Sequence, residues 1–149
     1  MWTRFAPSVC LCTVMMVASA TESEGGERHK GVESRHHVVI HVNSGDEQVQ
    51  RGALNNIKHF YQELGGDGVK VELVVHGAGL KLFIKRETKL GEELERLYGQ
   101  YGVSYTACSN TMKAMNVTKT DLIDQVARTV PAMVRLMELQ EAGWVYIKP

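Results

Sequence analysis

An open α/β sandwich is the fold that the sequence predicts: a mostly parallel sheet of four or five strands, covered by helices on both faces. Three observations lead there. Short β-branched runs alternate with amphipathic stretches over roughly 110 residues, and such alternation joins parallel strands through right-handed crossovers. The first two runs are apolar without a period of two, as strands buried on both faces are. The chain has 149 residues, 44% of them hydrophobic, which is enough for one core and too few for two ordinary domains.

His37 to Val42 (His-Val-Val-Ile-His-Val) predicts the first strand, bounded by Asn43-Ser44-Gly45. Ser44 and Glu47 have capping-box spacing. Val49, Ala53, Ile57, Phe60 and Leu64 then keep a 3.6-residue stripe until Gly65-Gly66, so a helix follows the strand directly. Val69 to His76 is the second strand, closed by Gly77-Ala78-Gly79. Leu90, Leu94, Leu97 and Tyr101 mark a second helix, with Glu92, Glu93, Glu95 and Arg96 on its wet side.

Gly102 precedes a third strand, Val103 to Ala107, and Cys108 follows directly. Ser109 to Met115 reads as a short helix, and Thr118 with Asp121 gives a second capping-box start before Leu122-Ile123. Val130-Pro131 opens a further helix, with proline at the first helical position, where its missing N–H costs nothing. Met133, Leu136, Met137 and Gln140 lie along one side of it, and Gly143 closes it before a last strand, Trp144 to Ile147. The expected topology is flavodoxin-like, with strand one between strands two and three.

The first twenty residues carry one positive charge (Arg4), an apolar run from Phe5 to Val17 and the small-residue end Ala18-Ser19-Ala20, the three parts of a secretory signal peptide. The apolar run is too short to span a bilayer of roughly 30 Å, and the other reading is a buried helix of the fold. Residues 21–35 are rich in Glu, Gly, Ser and Lys and read as a flexible leader, so the folded domain is expected over residues 36–149. The expected destination is the periplasm or the outside of the cell, with no membrane attachment after cleavage.

Seventeen basic and seventeen acidic residues cancel, so no whole-chain field argues for nucleic acid. Cleavage after Ala20 would leave sixteen basic against seventeen acidic residues, and would remove Cys10 and Cys12. Cys108 would be the only thiol of the mature chain, unable to form an internal disulfide and therefore reactive or intermolecular.

Functional groups of open α/β sheets gather at the carboxyl ends of the strands. Three of the expected strands end at Asn43, His76 and Cys108. Cys108 also precedes a helix, whose unpaired N–H groups and positive dipole end stabilise a thiolate. His76 within hydrogen-bond reach would serve as a base or cationic partner. The plainer readings are a small buried cysteine and a loop histidine.

Tyr105-Thr106-Ala107-Cys108-Ser109-Asn110-Thr111-Met112-Lys113 resembles the cysteine motif of the DsrE/DsrF-like family of small sulfur-relay proteins. Val38-Val39-Ile40-His41-Val42-Asn43, Val74-Val75-His76-Gly77-Ala78-Gly79-Leu80 and Gly143-Trp144-Val145-Tyr146-Ile147-Lys148-Pro149 extend the resemblance over residues 36 to 149. It is to the exported single-domain branch. The resemblance implies an α/β sandwich that assembles as a homotrimer or hexamer, with a cysteine that carries sulfur as a persulfide. On this chain that cysteine is Cys108. Asn110 and Thr111 would orient its thiolate or cap the helix. A donor or acceptor protein, or a small thiol, would be the exchange partner.

Two functions follow as expectations. One is a sulfur-relay-like carrier working through Cys108 and His76, with Asn43, Asn110 and Thr111 around them and no cofactor. The other is a non-enzymatic homo-oligomeric binding protein with an edge pocket for a small ligand, in which Met112, Met115, Met133 and Met137 build subunit contacts or a pocket wall; their plainer reading is core packing. Of His29, His36, His37, His41, His59 and His76, only His37 and His41 stand four apart, within a predicted strand and not a helix, and no cysteine pair remains after cleavage, so no metal site is expected. Gly77-Ala78-Gly79 lacks the rest of a dinucleotide fingerprint, and no phosphate loop occurs. Asn116-Val117-Thr118 fits the glycosylation pattern, which matters only in a eukaryotic secretory path.

Overall fold

The computed structural model describes Met1 and residues 36–149. The expected signal peptide and leader, with Cys10, Cys12 and His29, lie outside the described residues. Within 36–149 five strands form one sheet: β1 (His36–Val42), β2 (Val69–Val75), β3 (Ser104–Cys108), β4 (Val126–Val130) and β5 (Val145–Ile147). The order is β4-β3-β2-β1-β5, with every pairing parallel. Four helices connect them: α1 (Glu47–Leu64), α2 (Gly91–Tyr101), α3 (Ser109–Ala114) and α4 (Ala132–Glu141). No described helix is long and apolar enough to cross a membrane.

Two cores occupy the two faces of the sheet. On one, Ile40, Leu73 and Tyr105 meet Leu54 and Ile57 of α1 and Leu94 and Leu97 of α2. On the other, Val39, Val74 and Cys108 meet Ala132, Leu136 and Leu139 of α4. The face a strand residue joins follows from its parity, so Cys108 belongs to the α4 side.

The strand order departs from the expected one. Strand β1 lies between β2 and β5, and β2, not β1, is the neighbour of β3. Periodicity identifies strands but does not encode where each crossover lands. The chain steps from β1 to β4 in one direction and then returns across the sheet to β5, which puts the reversal between β1 and β5. The ends of β1, β2 and β3 nevertheless stay side by side, so Asn43, His76 and Cys108 share one edge. Strand β4 is an addition: only Val126 among its five residues is buried, as suits an outer strand with little apolar signature.

The expected stripe of α1 is also rotated. Gln50, Ala53, Leu54, Ile57 and Tyr61 are buried, while Val49 and Leu64 are exposed. The N-cap is Asp46, whose carboxylate accepts from Gln48 and Val49 N–H, rather than Ser44. In α4, Leu136 is buried as expected, but Met133 and Met137 are more than half exposed. Pro131 sits at the N-cap, one position before the first helical residue. The Thr118–Asp121 box is present, with the Thr118 N–H donating to the Asp121 carboxylate at 2.8 Å ahead of a 3₁₀ turn.

The segment after β2 is a 3₁₀ stretch, Gly77–Phe83, whose Leu80, Leu82 and Phe83 are fully buried. It lies hard against the end of β1. A Cβ on Gly79 would stand 2.5 Å from the Val42 carbonyl oxygen, and the Gly79 N–H donates to the Asn43 carbonyl at 3.2 Å. That close approach accounts for the glycine.

Candidate functional site

Cys108 ends β3 and takes the N-cap position of α3. The strand, paired to β2 on one side and β4 on the other, fixes its backbone. The start of a second helix meets it from the other side. The buried N–H of Ala132, first residue of α4, donates to Cys108 Sγ at 3.5 Å. Cys108 thus caps the start of one helix and accepts from the start of another.

Burial pushes the Cys108 thiol up. Hydrogen bonding by the Thr111 hydroxyl, by the Ala132 N–H and by the N–H groups of Thr111 and Asn110 outweighs it, so the thiol ionises below its ordinary value. Cys108 is 6% exposed, packed beside Val39, Val74 and Leu136. Asn110 and Pro131, which flank it in the two helix starts, are exposed.

Thr111 serves two partners. Its hydroxyl oxygen accepts the Gly77 N–H at 3.0 Å while the hydroxyl also acts on the sulfur. The loop after β2 is therefore tied to Cys108 through Thr111. The imidazole of His76 is not: no hydrogen bond joins it to Cys108 among the described residues. Its ring stacks on His41 of β1, centroids 4.7 Å apart, on the opposite side of β2 from β3. Burial and the charge of Lys148 hold His76 below its ordinary value, so at neutral pH it carries no charge to lend the thiolate. Asn43 contributes its backbone carbonyl to the Gly79 turn. Of the expected residues, then, Asn110 and Thr111 join Cys108, and His76 and Asn43 stand apart from the sulfur.

Two groupings carried no sequence signal. His41 Nδ1 hydrogen-bonds the Tyr146 hydroxyl at 2.6 Å, linking β1 to β5, while its Nε2 is buried without a partner. Burial, then His76 and Lys148, lowers His41 to about 4. Glu72 of β2, 2% exposed, receives Arg135 of α4 as a fork: Nε to Oε1 at 2.8 Å and Nη2 to Oε2 at 2.7 Å. The Thr106 hydroxyl adds a third bond at 2.7 Å. Burial pushes the Glu72 carboxyl up, and these donors bring it below its usual value, so it is ionised. His41 and Glu72 are buried polar residues inside largely apolar strands, and Tyr146 and Arg135 lie 105 and 63 residues away from them. Among the described residues, no three His, Cys, Asp or Glu side chains group as a metal site would require.

The family model of the DsrE/DsrF-like family matches residues 36–149. No curated protein matches the chain. Among solved structures, a protein of unknown function from Methanobacterium thermoautotrophicum, MTH1491, is similar at 28% identity with a TM-score of 0.70, covering 76% of this chain and 99% of that one. The ychN protein from E. coli has 14% identity and a TM-score of 0.60, over 78% of this chain and 99% of that one. The protein BT1422 from Bacteroides thetaiotaomicron, of unknown function, has 17% identity and a TM-score of 0.56, over 80% and 100%. The last two show the fold alone.

Proposed function

The chain belongs to the DsrE/DsrF-like family, a family generally associated with sulfur relay, and on that premise we propose that it is a sulfur carrier whose working group is the Cys108 thiolate. The observation that carries this reading is the buried Ala132 N–H donating to Cys108 Sγ at the start of α3, where Thr111 and Asn110 help hold the thiol below its ordinary value. Such donors stabilise an anionic sulfur, whether thiolate or persulfide.

The step balances without an external oxidant. The Cys108 thiolate attacks the sulfane sulfur of a donor persulfide. A new S–S bond forms on Sγ, the donor's S–S bond breaks, and the donor leaves as a thiolate with the electron pair. An acceptor thiolate then attacks the terminal sulfur and releases Cys108. Cleavage of residues 1–20 on export would leave Cys108 as the sole thiol, so transfer runs to a second molecule.

The test is mass spectrometry of the protein after exposure to a polysulfide. A gain of about one sulfur atom at Cys108, reversed by a reducing thiol and absent in Cys108→Ser, is expected. Wild type and Cys108→Ser behaving alike would refute the carrier.

A second reading, an oligomeric binding protein, is favoured by one surface. Met133, Met137 and Tyr146 are exposed around a groove of about 380 Å³ whose floor includes His41. A second copy of the chain covering this face would bury it, and a head-to-tail contact of that kind closes into rings such as a homotrimer. Light scattering of wild type against Met133→Lys decides: a smaller species for the variant supports assembly through α4, and an unchanged mass refutes it.

A further inference from the structure

The Glu72–Arg135 pair lies on the same face of the sheet as Cys108, and nothing in the sulfur chemistry uses it. Glu72 is held in the centre of the sheet, with β1 on one side and β3 on the other. Thr106, which also bonds it, is two residues before Cys108 on the same strand and face. Arg135 is three residues after Ala132, one turn along α4. The first turn of α4 therefore touches the sheet at two polar points, Ala132 N–H on Cys108 and the Arg135 fork on Glu72.

The remaining contacts of α4 with the sheet are apolar, through Ala132, Leu136 and Leu139. Apolar burial is non-directional and leaves the rotation of a helix about its axis loosely fixed. A two-pronged arginine–carboxylate bond is directional. A buried ion pair is also weak evidence for stability and better attested as a device for fixing register.

We infer that Glu72 and Arg135 are positioning residues for Cys108: the pair sets the rotation and register of α4 so that the Ala132 N–H lies on the sulfur. This rests on the reading of Cys108 as the reacting thiol. Arg128, whose Nη1 stands 3.6 Å from Glu72, and Glu138, which meets Arg135 at 3.5 Å, flank the pair without replacing the fork.

The test measures the rate of Cys108 alkylation against pH, resolved by peptide mass spectrometry on the full chain, for wild type, Glu72→Gln and Arg135→Lys. Both substitutions break the fork. Positioning predicts that both move the thiol midpoint upward and slow alkylation at neutral pH about three- to tenfold, the range for one lost hydrogen bond. Charge alone predicts the opposite for Glu72→Gln, because removal of a nearby anion favours the thiolate and speeds the reaction. A faster Glu72→Gln reaction therefore overturns the inference. So does an unchanged midpoint in both variants beside a lowered melting temperature, which would make the pair merely structural. Arg135→Lys keeps the charge and stands as the deciding variant if Glu72→Gln does not fold. A wild-type midpoint in the ordinary thiol range refutes the Cys108 reading itself, whereas a low wild-type midpoint that neither variant shifts refutes only the positioning.

Discussion

Ala132 donates its backbone N–H to the sulfur of Cys108 across 3.5 Å, although 24 residues and the whole of β4 separate them in the chain. This contact joins the Cys108 thiol to the helix that returns the chain to the far side of the sheet, and its removal perturbs the site directly. Ala132→Pro deletes that donor and puts a ring carbon where the hydrogen stood, so the sulfur and the start of α4 must also move apart. Proline is at home at a first helical position, and Pro131, with φ −59° and ψ 118°, already has the conformation a residue before proline prefers. The thiol midpoint is expected to rise, with alkylation at pH 7 slowed about three- to tenfold. Circular dichroism would confirm that α4 survives.

Thr111→Val removes the hydroxyl from both of its partners. The thiol loses a donor and the Gly77 N–H loses its acceptor, so a higher thiol midpoint and a stability loss of about 1 kcal/mol are expected together. Thr111→Ser restores both. Urea unfolding and alkylation on the same samples check the pair of effects.

The His41 site makes stability depend on pH. Folded His41 stays neutral down to about 4, whereas the unfolded chain protonates it near 6.5. Between these values the unfolded chain binds more protons, so stability is full above about pH 6.5 and declines as the pH falls toward 4. The loss attributable to His41 is on the order of 2–3 kcal/mol. His76, also lowered, acts in the same direction. Denaturant titrations of wild type and His41→Phe at pH 7.5 and 4.5 should show a clearly smaller decline in the variant.

Two glycine substitutions should move stability in opposite directions. Gly79→Ala drives a Cβ into the Val42 carbonyl, 2.5 Å away, and is expected to cost about 2 kcal/mol or more. Gly52→Ala, inside α1 with open space around it, should stabilise by about 0.5–1 kcal/mol through helix propensity. Melting temperatures of the two variants give the comparison.

What the sequence disclosed was local. β1, β2 and β3 were legible as apolar runs ended by Asn43, His76 and Cys108, and so was the place of Cys108 at a strand-to-helix turn. Thr111 was visible as a helix-start residue, but its bond to Gly77 spans 34 residues and follows from no pattern. The second helix start at the sulfur was hidden for the same reason: Ala132 carries no side-chain signal, and its backbone N–H matters only because α4 crosses back over the sheet. Glu72 stood in plain view within Val-Lys-Val-Glu-Leu-Val-Val, yet its role depends on Arg135, which the chain reaches only after two more strands.

The pH dependence of Cys108 alkylation in the wild-type chain tests the central claim most directly, because every group placed on the sulfur acts through its ionisation. Half-titration below the ordinary free-thiol value is the result that these donors predict. A midpoint at or above about 8.5, the value of an ordinary free thiol, would contradict it.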